Sequence, residues 1–269
     1  MGSTTQRLQR GSPPPIIVLM NLDLNNLLEG WPHEPGQIRV RKVAGNDGRE
    51  KLQLRIDLGL IQMEMTGRPD GLRPHGCESL LEWQKERAAD AEAKGHSFTL
   101  SPEECAELQH EGIQYYHRYI SLFQIEDYPG VVRDTGRNLE LLDFIVKYAE
   151  REELAWQMEQ FRAYLLMMNT RARASIELER NDYAAALRQI ERGRDKIVEA
   201  FQDRPEAAQN SAEIQFLEQW LEELRNKRPL SKLEMLQQEM DRAIAAEAYE
   251  RAAELRDAIR AEQNATPSA

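Results

Sequence analysis

Cysteine and long apolar runs are both scarce in this sequence, and each scarcity excludes a class of protein. The 269 residues include only two cysteines, Cys77 and Cys105, so a disulfide framework is excluded and a reducing compartment is expected. The longest early apolar run, "IIVLM" at 16–20, is too short for a membrane span or for the apolar core of a signal peptide. We therefore predict a soluble, cytoplasmic protein with no membrane partner.

The chain also lacks an excess of positive charge. Its net charge of −11 disfavours a broad grip on nucleic acid, because clustered Lys and Arg must neutralise phosphates. The richest basic cluster, at 171–194, is interleaved with Glu177, Glu179, Glu191 and Asp195, and we expect these acids to cancel much of it. We predict no direct binding of nucleic acid.

Signatures of catalysis and of metal binding are missing as well. The sequence has no G-x-x-x-x-G-K-[ST] phosphate loop and no C-x-x-C pair. His96, His110 and His117 fall at no recognised ligand spacing with Cys105. We predict no metal, no cofactor and no enzymatic activity.

A short stretch of strand periodicity is followed by a long stretch of helical periodicity. Residues 37–66 alternate between polar and apolar side chains around turn residues at 45–48 and 58–59, which predicts a small antiparallel meander. The period becomes helical from residue 78, and Ser101, Pro102 and Glu104 predict a capped helix start. The predicted fold class is α+β, mostly α.

The middle of the chain repeats itself. Residues 118–137 align with residues 173–192 at an offset of 55, and each copy predicts a helix, a turn at Asp-Tyr and a second helix. The identical pairs are Arg118 and Arg173, Asp127 and Asp182, Tyr128 and Tyr183, Arg133 and Arg188, and Arg137 and Arg192.

The second copy resembles a tetratricopeptide unit. Its "NDY" stands where that family places a turn, and Ala174, Ala186 and Gly193 lie near the small-residue positions. The offset is too long for tandem units, so the resemblance implies stacked helical hairpins rather than a regular array. Such hairpins usually form surfaces that bind other proteins. A plain helical bundle remains the alternative.

A terminal pair of short amphipathic helices is predicted after Pro229. Residues 231–234 form a capping box, and apolar side chains then recur at helical spacing on either side of a break near Ala248. Two such helices leave each apolar stripe half exposed, so the hairpin needs a second surface to cover it. The predicted protein-binding residues are Leu233, Leu236, Met240, Ile244, Tyr249, Ala252, Leu255, Arg256 and Ile259.

The stretch "LEMLQQEMDRAIAAEAYERAAELRDAI" at 233–259 resembles the UVR motif. This helical hairpin is shared by the excision-repair proteins UvrB and UvrC, the Clp-protease adaptor McsA and ClpC-type chaperones. The resemblance implies a protein-interaction module whose partner is another protein or its own copy, possible classes being a Clp-type chaperone and a repair complex. The upstream residues resemble the amino-terminal region of bacterial UVR-motif proteins, a likeness that implies no activity. An accessory factor of nucleotide excision repair is an alternative function.

These patterns divide the chain into five parts. They are a disordered tail (1–15), a small α+β region with the meander (16–98), a helical body with two related hairpins (99–228), the UVR hairpin (231–262) and a second disordered tail (263–269).

One further stretch, "GRPDGLRPHGCES" at 67–79, is a candidate ligand site. Its tandem R-P-x-G predicts two consecutive type I turns. In one interpretation Arg68 and Arg73 grip an anion while Asp70, His75 and Cys77 supply acid–base or nucleophilic chemistry. In the other, the arginines bind carboxylates or carbonyl groups of the following helix and the glycines serve the turns. Both interpretations remain open from the sequence.

Overall fold

A computed structural model describes residues 23–202, 204–227 and 232–265 of the chain. Helix accounts for 67% of the residues, against a single small sheet, which confirms the predicted α+β, mostly α class. The strands are β1 (Arg39–Ala44), β2 (Glu50–Ile56) and β3 (Gly59–Glu64). The helices are α1 (Asn25–Leu28), α2 (Leu80–Ala93), α3 (Pro102–Gln124), α4 (Tyr128–Tyr148), α5 (Glu152–Glu159), α6 (Arg162–Glu179), α7 (Tyr183–Ala200), α8 (Pro205–Gln209), α9 (Ala212–Lys227), α10 (Lys232–Ala245) and α11 (Tyr249–Ala265).

The three strands form the predicted antiparallel meander in the order β1-β2-β3. Leu52 on β2 stands opposite Met63, and Leu54 stands between Val40 and Ile61, so one face of the sheet is apolar. Strands β1 and β2 pack against α3. Three strands alone are only marginally stable, so their contact with α3 stabilises the sheet.

Helix α3 begins as its sequence predicts. The Ser101 side chain accepts a hydrogen bond from the Glu104 N–H, and the Glu104 carboxylate accepts one from the Ser101 N–H, 2.9 Å away. Pro102 occupies the first helical turn, where a backbone N–H would have no partner within the helix, so the missing N–H of proline costs no hydrogen bond. The reciprocal capping box is confirmed.

A continuous apolar core runs from the sheet to α9. Successive helices pack in pairs, α3 on α4, α4 on α6, α6 on α7 and α7 on α9. The core includes Leu52 of the sheet, Leu81 of α2, Leu108 of α3, Ile190 of α7 and Leu217 of α9, all with no exposed surface. The same core includes residues from both sides of the predicted domain boundary at 98–99. That boundary stays a prediction.

The same turn joins three pairs of helices, α3 to α4, α6 to α7 and α10 to α11. In each turn one non-glycine residue has a positive φ, namely Glu126 at 62°, Asn181 at 59° and Glu247 at 57°. The N–H of the following residue donates to a carbonyl oxygen five residues back, a helix-ending arrangement that satisfies an otherwise free carbonyl. These bonds are Asp127 to Leu122 (2.9 Å), Asp182 to Glu177 (2.9 Å) and Ala248 to Ala243 (2.8 Å). The predicted helical hairpins are confirmed.

Helices α6 and α7 approach closely at Gly193. A Cβ atom on this residue would lie 2.0 Å from the Thr170 Oγ1, so only glycine fits there. Ala174 and Ala186 are fully buried in the same region. The small residues singled out in the sequence therefore serve close helix packing, while the tetratricopeptide likeness itself stays a prediction.

Some sequence predictions fall at or beyond the ends of the described ranges. The tail at 1–15, Pro229 and the Ser231 cap lie outside them. Helix α11 continues to Ala265, so the first three residues of the tail predicted at 263–269 are helical instead. Within the described ranges, no helix combines the length and apolarity that a membrane crossing requires.

Candidate interaction surfaces

The terminal hairpin consists of α10 and α11, which pack against each other around the turn at 246–248. Ala243 is buried and Ala252 and Ala253 are half-buried, as expected where small side chains let two helices approach. Among the described elements, the only extensive contact made by α10 or α11 is with the other of the two. The hairpin thus stands largely apart from the core of the body.

The apolar side chains of the hairpin divide into an inner and an outer set. Leu255 and Ile259 are 3% and 9% exposed, which places them in the contact between the two helices rather than on a free face. Ile244 and Tyr249 are 49% and 68% exposed, and they stand beside the turn. Four further predicted residues are half-buried: Leu233, Leu236, Met240 and Ala252.

This division refines the predicted binding surface. Leu255 and Ile259 are already buried within the described chain, and the predicted docking stripe as a whole stays a prediction. Met235, which lies off the predicted stripe, is exposed and escaped the sequence analysis for that reason. The free apolar surface therefore includes Ile244 and Tyr249 beside the turn and Met235 near the start of α10.

Two arginines of the hairpin pair with carboxylates of the same hairpin. Arg251 lies 2.9 Å from the Glu254 carboxylate and 3.7 Å from that of Glu239, and Arg256 lies 2.8 Å from Asp257. Residues 231–262 carry five basic and eight acidic side chains, a net charge of −3. Such a surface is poorly suited to phosphate groups.

Comparison with known protein families identifies this hairpin. Residues 231–264 match the family model of the UvrB/uvrC motif, UVR. The match spans α10 and α11 and confirms the resemblance drawn from the sequence. The UVR motif is a protein-interaction module, known for protein–protein and DNA-repair-associated interactions. No curated protein and no solved structure matches the chain.

Arg68, the first arginine of the R-P-x-G tandem, is bound to carboxylates of the protein itself. Its Nε lies 3.2 Å from the Glu111 carboxylate on α3, and an Nη atom lies 3.3 Å from Asp70. Glu111 is fully buried and also accepts the N–H groups of Leu80 and Leu81 at 2.8 and 3.2 Å, capping α2. Arg68 is thus paired with two internal carboxylates, while its buried Nε has no hydrogen-bond partner within the described chain.

The second R-P-x-G turn differs from the predicted type I form. The Gly76 N–H donates to the Arg73 carbonyl at 3.1 Å, but His75 at the third position has φ 53° and ψ 20°. A positive φ at that position belongs to type II turns. The His75 ring stacks on Trp83 with 3.7 Å between the ring centroids, a contact that helps to offset the strain.

Cys77 and Asp70 are held by neighbouring side chains. The Cys77 thiol lies 3.5 Å from the Glu86 carboxylate, and burial together with this hydrogen bond raises its pKa. A thiol that keeps its proton is a poor nucleophile. Asp70 accepts hydrogen bonds from the Gln114 amide at 3.1 Å and from the Leu72 N–H at 2.9 Å.

A shallow cleft of about 530 Å³ brings together only part of the predicted site. Arg68 and His75 line it beside Glu107 and His110, whereas Asp70, Arg73 and Cys77 do not. The Glu107 carboxylate in the wall of this cleft would repel a bound anion. Across the described residues, no cluster of three or more His, Cys, Asp or Glu side chains could hold a metal ion.

A second, apolar groove of about 550 Å³ lies between α3, α4, α5 and α6. It escaped the sequence analysis because its walls come from four helices. Its most exposed apolar residues are Ile113, Tyr116 and Phe161. Burial lowers the pKa of His117, which also lines the groove.

Proposed function

We propose that this protein is a non-enzymatic adaptor that binds another protein, or its own copy, through the UVR hairpin. The observation that carries the proposal is the exposure of Ile244 and Tyr249 on a matched interaction motif that stands apart from the body. Because only about half to two-thirds of each side chain is still exposed, covering the two on a partner would contribute about 1–2 kcal/mol each. The helical body then provides a second, independent surface.

The partner classes follow from the relatives of the motif. A Clp-type chaperone and a repair complex are the first candidates, and a role as an accessory factor of excision repair falls within the second. Binding of a small anion at the R-P-x-G tandem is less well supported, because Glu111 and Asp70 already offset the positive charge of Arg68.

The decisive experiment places a photo-crosslinking amino acid on the exposed face. Tyr249 is replaced by p-benzoylphenylalanine in the full chain, cells are irradiated, and crosslinked proteins are identified by mass spectrometry. The matched control carries the same amino acid at Gln238, an exposed polar position of α10. We expect one or a few proteins, or the chain itself, to crosslink at residue 249 and not at residue 238.

A pair of double variants tests the energetic role of the same surface. Ile244→Asp with Tyr249→Asp should abolish association, while Gln238→Asp with Ala258→Asp adds the same charge at exposed positions and should preserve it. Leu255→Asp is unsuitable because it would disrupt the buried contact between the helices. Sedimentation velocity of the purified chain shows whether it associates with its own copy, which distinguishes self-association from binding to a second protein. Equal association of both double variants would refute the proposal.

A further inference from the structure

The arginines that the two repeat copies share have different surroundings, and the first copy shows what they can hold. Arg118 is 1% exposed and donates to both Asp134 oxygens at 2.6 and 2.8 Å and to the Glu64 carbonyl oxygen at 3.1 Å. Arg133 donates to the Met65 carbonyl oxygen at 3.0 Å. These side chains clamp the end of strand β3 through its backbone.

The third arginine of the first copy, Arg137, pairs with the buried Glu111 carboxylate. Together, Arg118, Arg133 and Arg137 form the first arginine triplet. It binds two kinds of acceptor: carboxylates and the carbonyl groups of an extended segment.

The second copy presents the same triplet without those acceptors. Arg173, Arg188 and Arg192, the second arginine triplet, flank a turn of the same geometry and are all exposed. Asp134 of the first copy and Glu111, which precedes that copy on α3, correspond to Gln189 and Leu166 at the offset of 55, so the internal carboxylates are gone.

The second triplet has almost no contacts of its own. The Arg173 Nε donates to the Asn169 side-chain oxygen at 2.8 Å. For Arg188 and Arg192, the described part of the chain offers neither a hydrogen bond nor an ion pair. Two of the three guanidinium groups are therefore free to bind a partner.

The acids expected to cancel these arginines are mostly occupied elsewhere. Arg180 lies 3.4 Å from Glu177, Arg194 lies 2.7 Å from Asp195, and Arg225 of α9 lies 2.7 Å from Glu191. The expectation of general cancellation within 171–194 is thus wrong for the triplet, because carboxylates pair with the nearest guanidinium rather than with the whole cluster.

We propose that the second arginine triplet binds an acidic, extended segment of a partner protein, much as Arg118 and Arg133 bind the backbone at the end of β3. The planar guanidinium fork suits both carboxylates and backbone carbonyls. A protein segment is favoured over nucleic acid, since the internal precedent is the peptide backbone that Arg118 and Arg133 bind. The site would supply the second surface of the proposed adaptor and does not involve the UVR hairpin.

The test uses the full chain and a fluorescein-labelled peptide of alternating glutamate and glycine, titrated by fluorescence anisotropy at physiological salt. The double variant Arg188→Gln, Arg192→Gln should weaken binding of the peptide about tenfold, because it removes two exposed ion pairs between the arginines and the peptide's glutamates. The matched control, Arg180→Gln with Arg194→Gln, removes the same charge from arginines that are already paired and should bind as the wild type does. The Ile244→Asp, Tyr249→Asp variant should also bind the peptide unchanged, so the triplet and the hairpin are tested separately.

Three results would overturn the proposal. Equal weakening by the two arginine pairs would show a diffuse charge effect. Equal binding of a glutamine-glycine peptide would show that carboxylates are not recognised. Tighter binding of a thymidine oligonucleotide of the same length, lost in Arg188→Gln with Arg192→Gln, would make the triplet a nucleic-acid site instead.

Discussion

Replacing Arg118 by methionine removes the positive half of a buried ion pair while keeping most of the aliphatic stem. The change leaves the Asp134 carboxylate buried with Arg133 as its remaining partner, at 2.9 Å. It also removes the donor to the Glu64 carbonyl oxygen. Breaking one side of a buried pair costs about 3–5 kcal/mol of unfolding free energy, and the remaining Arg133 contact places our expectation at about 3 kcal/mol.

Two companion variants separate the pair from the side chain itself. Arg118→Met with Asp134→Leu removes both charges, and we expect it to be more stable than the single variant by about 2 kcal/mol, because no uncompensated charge stays buried. Arg173→Met makes the same substitution at the equivalent, exposed position of the second copy. We expect it to change stability by no more than about 0.5 kcal/mol.

Urea unfolding followed by tryptophan fluorescence measures these differences. All four tryptophans, Trp31, Trp83, Trp156 and Trp220, lie upstream of the UVR hairpin, so the signal reports on the sheet region and the helical body rather than on the hairpin. A loss below about 1 kcal/mol for Arg118→Met, or equal losses for Arg118→Met and Arg173→Met, would refute the argument that burial distinguishes the two copies.

Three further outcomes can be tested with the same preparation. Gly193→Ala should destabilise by about 1–3 kcal/mol, because the added Cβ would meet Thr170, whereas Gly136→Ala, with open space around it, should stabilise by up to about 1 kcal/mol. An aromatic disulfide reagent at pH 8 should label Cys77 slowly and leave Cys105 unlabelled until denaturant is added, and rapid labelling of both thiols would contradict their environments. Burial raises the pKa of Cys105 from 9.0 to about 11, so the unfolded thiol ionises first; Cys105→Ala should then reduce the loss of stability between pH 9 and 11.

The sequence predicts which positions of the UVR hairpin are apolar, but not which of these side chains remain exposed. Helical spacing marks the apolar positions from Leu233 to Ile259, because periodicity along one helix depends only on the chain itself. Which of them remain free depends on the crossing of two helices. That crossing buries Leu255 and leaves Tyr249 outside, and no spacing rule distinguishes the two residues.

The sequence alone determined the features that need only a few neighbouring residues. The Ser101 capping box, the hairpin turns at Asp127 and Asp182 and the alternation of the meander each depend on short-range geometry, and the structure has them all. The 55-residue repeat likewise predicted two related hairpins, because similar local sequences favour similar turns.

Only the tertiary structure decided what the repeated arginines do. Arg118 and Arg173 occupy matching positions, yet one is buried against the Glu64 carbonyl and the other is exposed. The difference arises because the sheet, more than 50 residues earlier in the chain, covers the first copy and nothing in the described chain covers the second in the same way. The burial of an arginine depends on residues that are distant in the sequence and pack against it. The same distant residues therefore determine whether that arginine binds the protein's own backbone, as Arg118 does, or stays exposed, as Arg173 does.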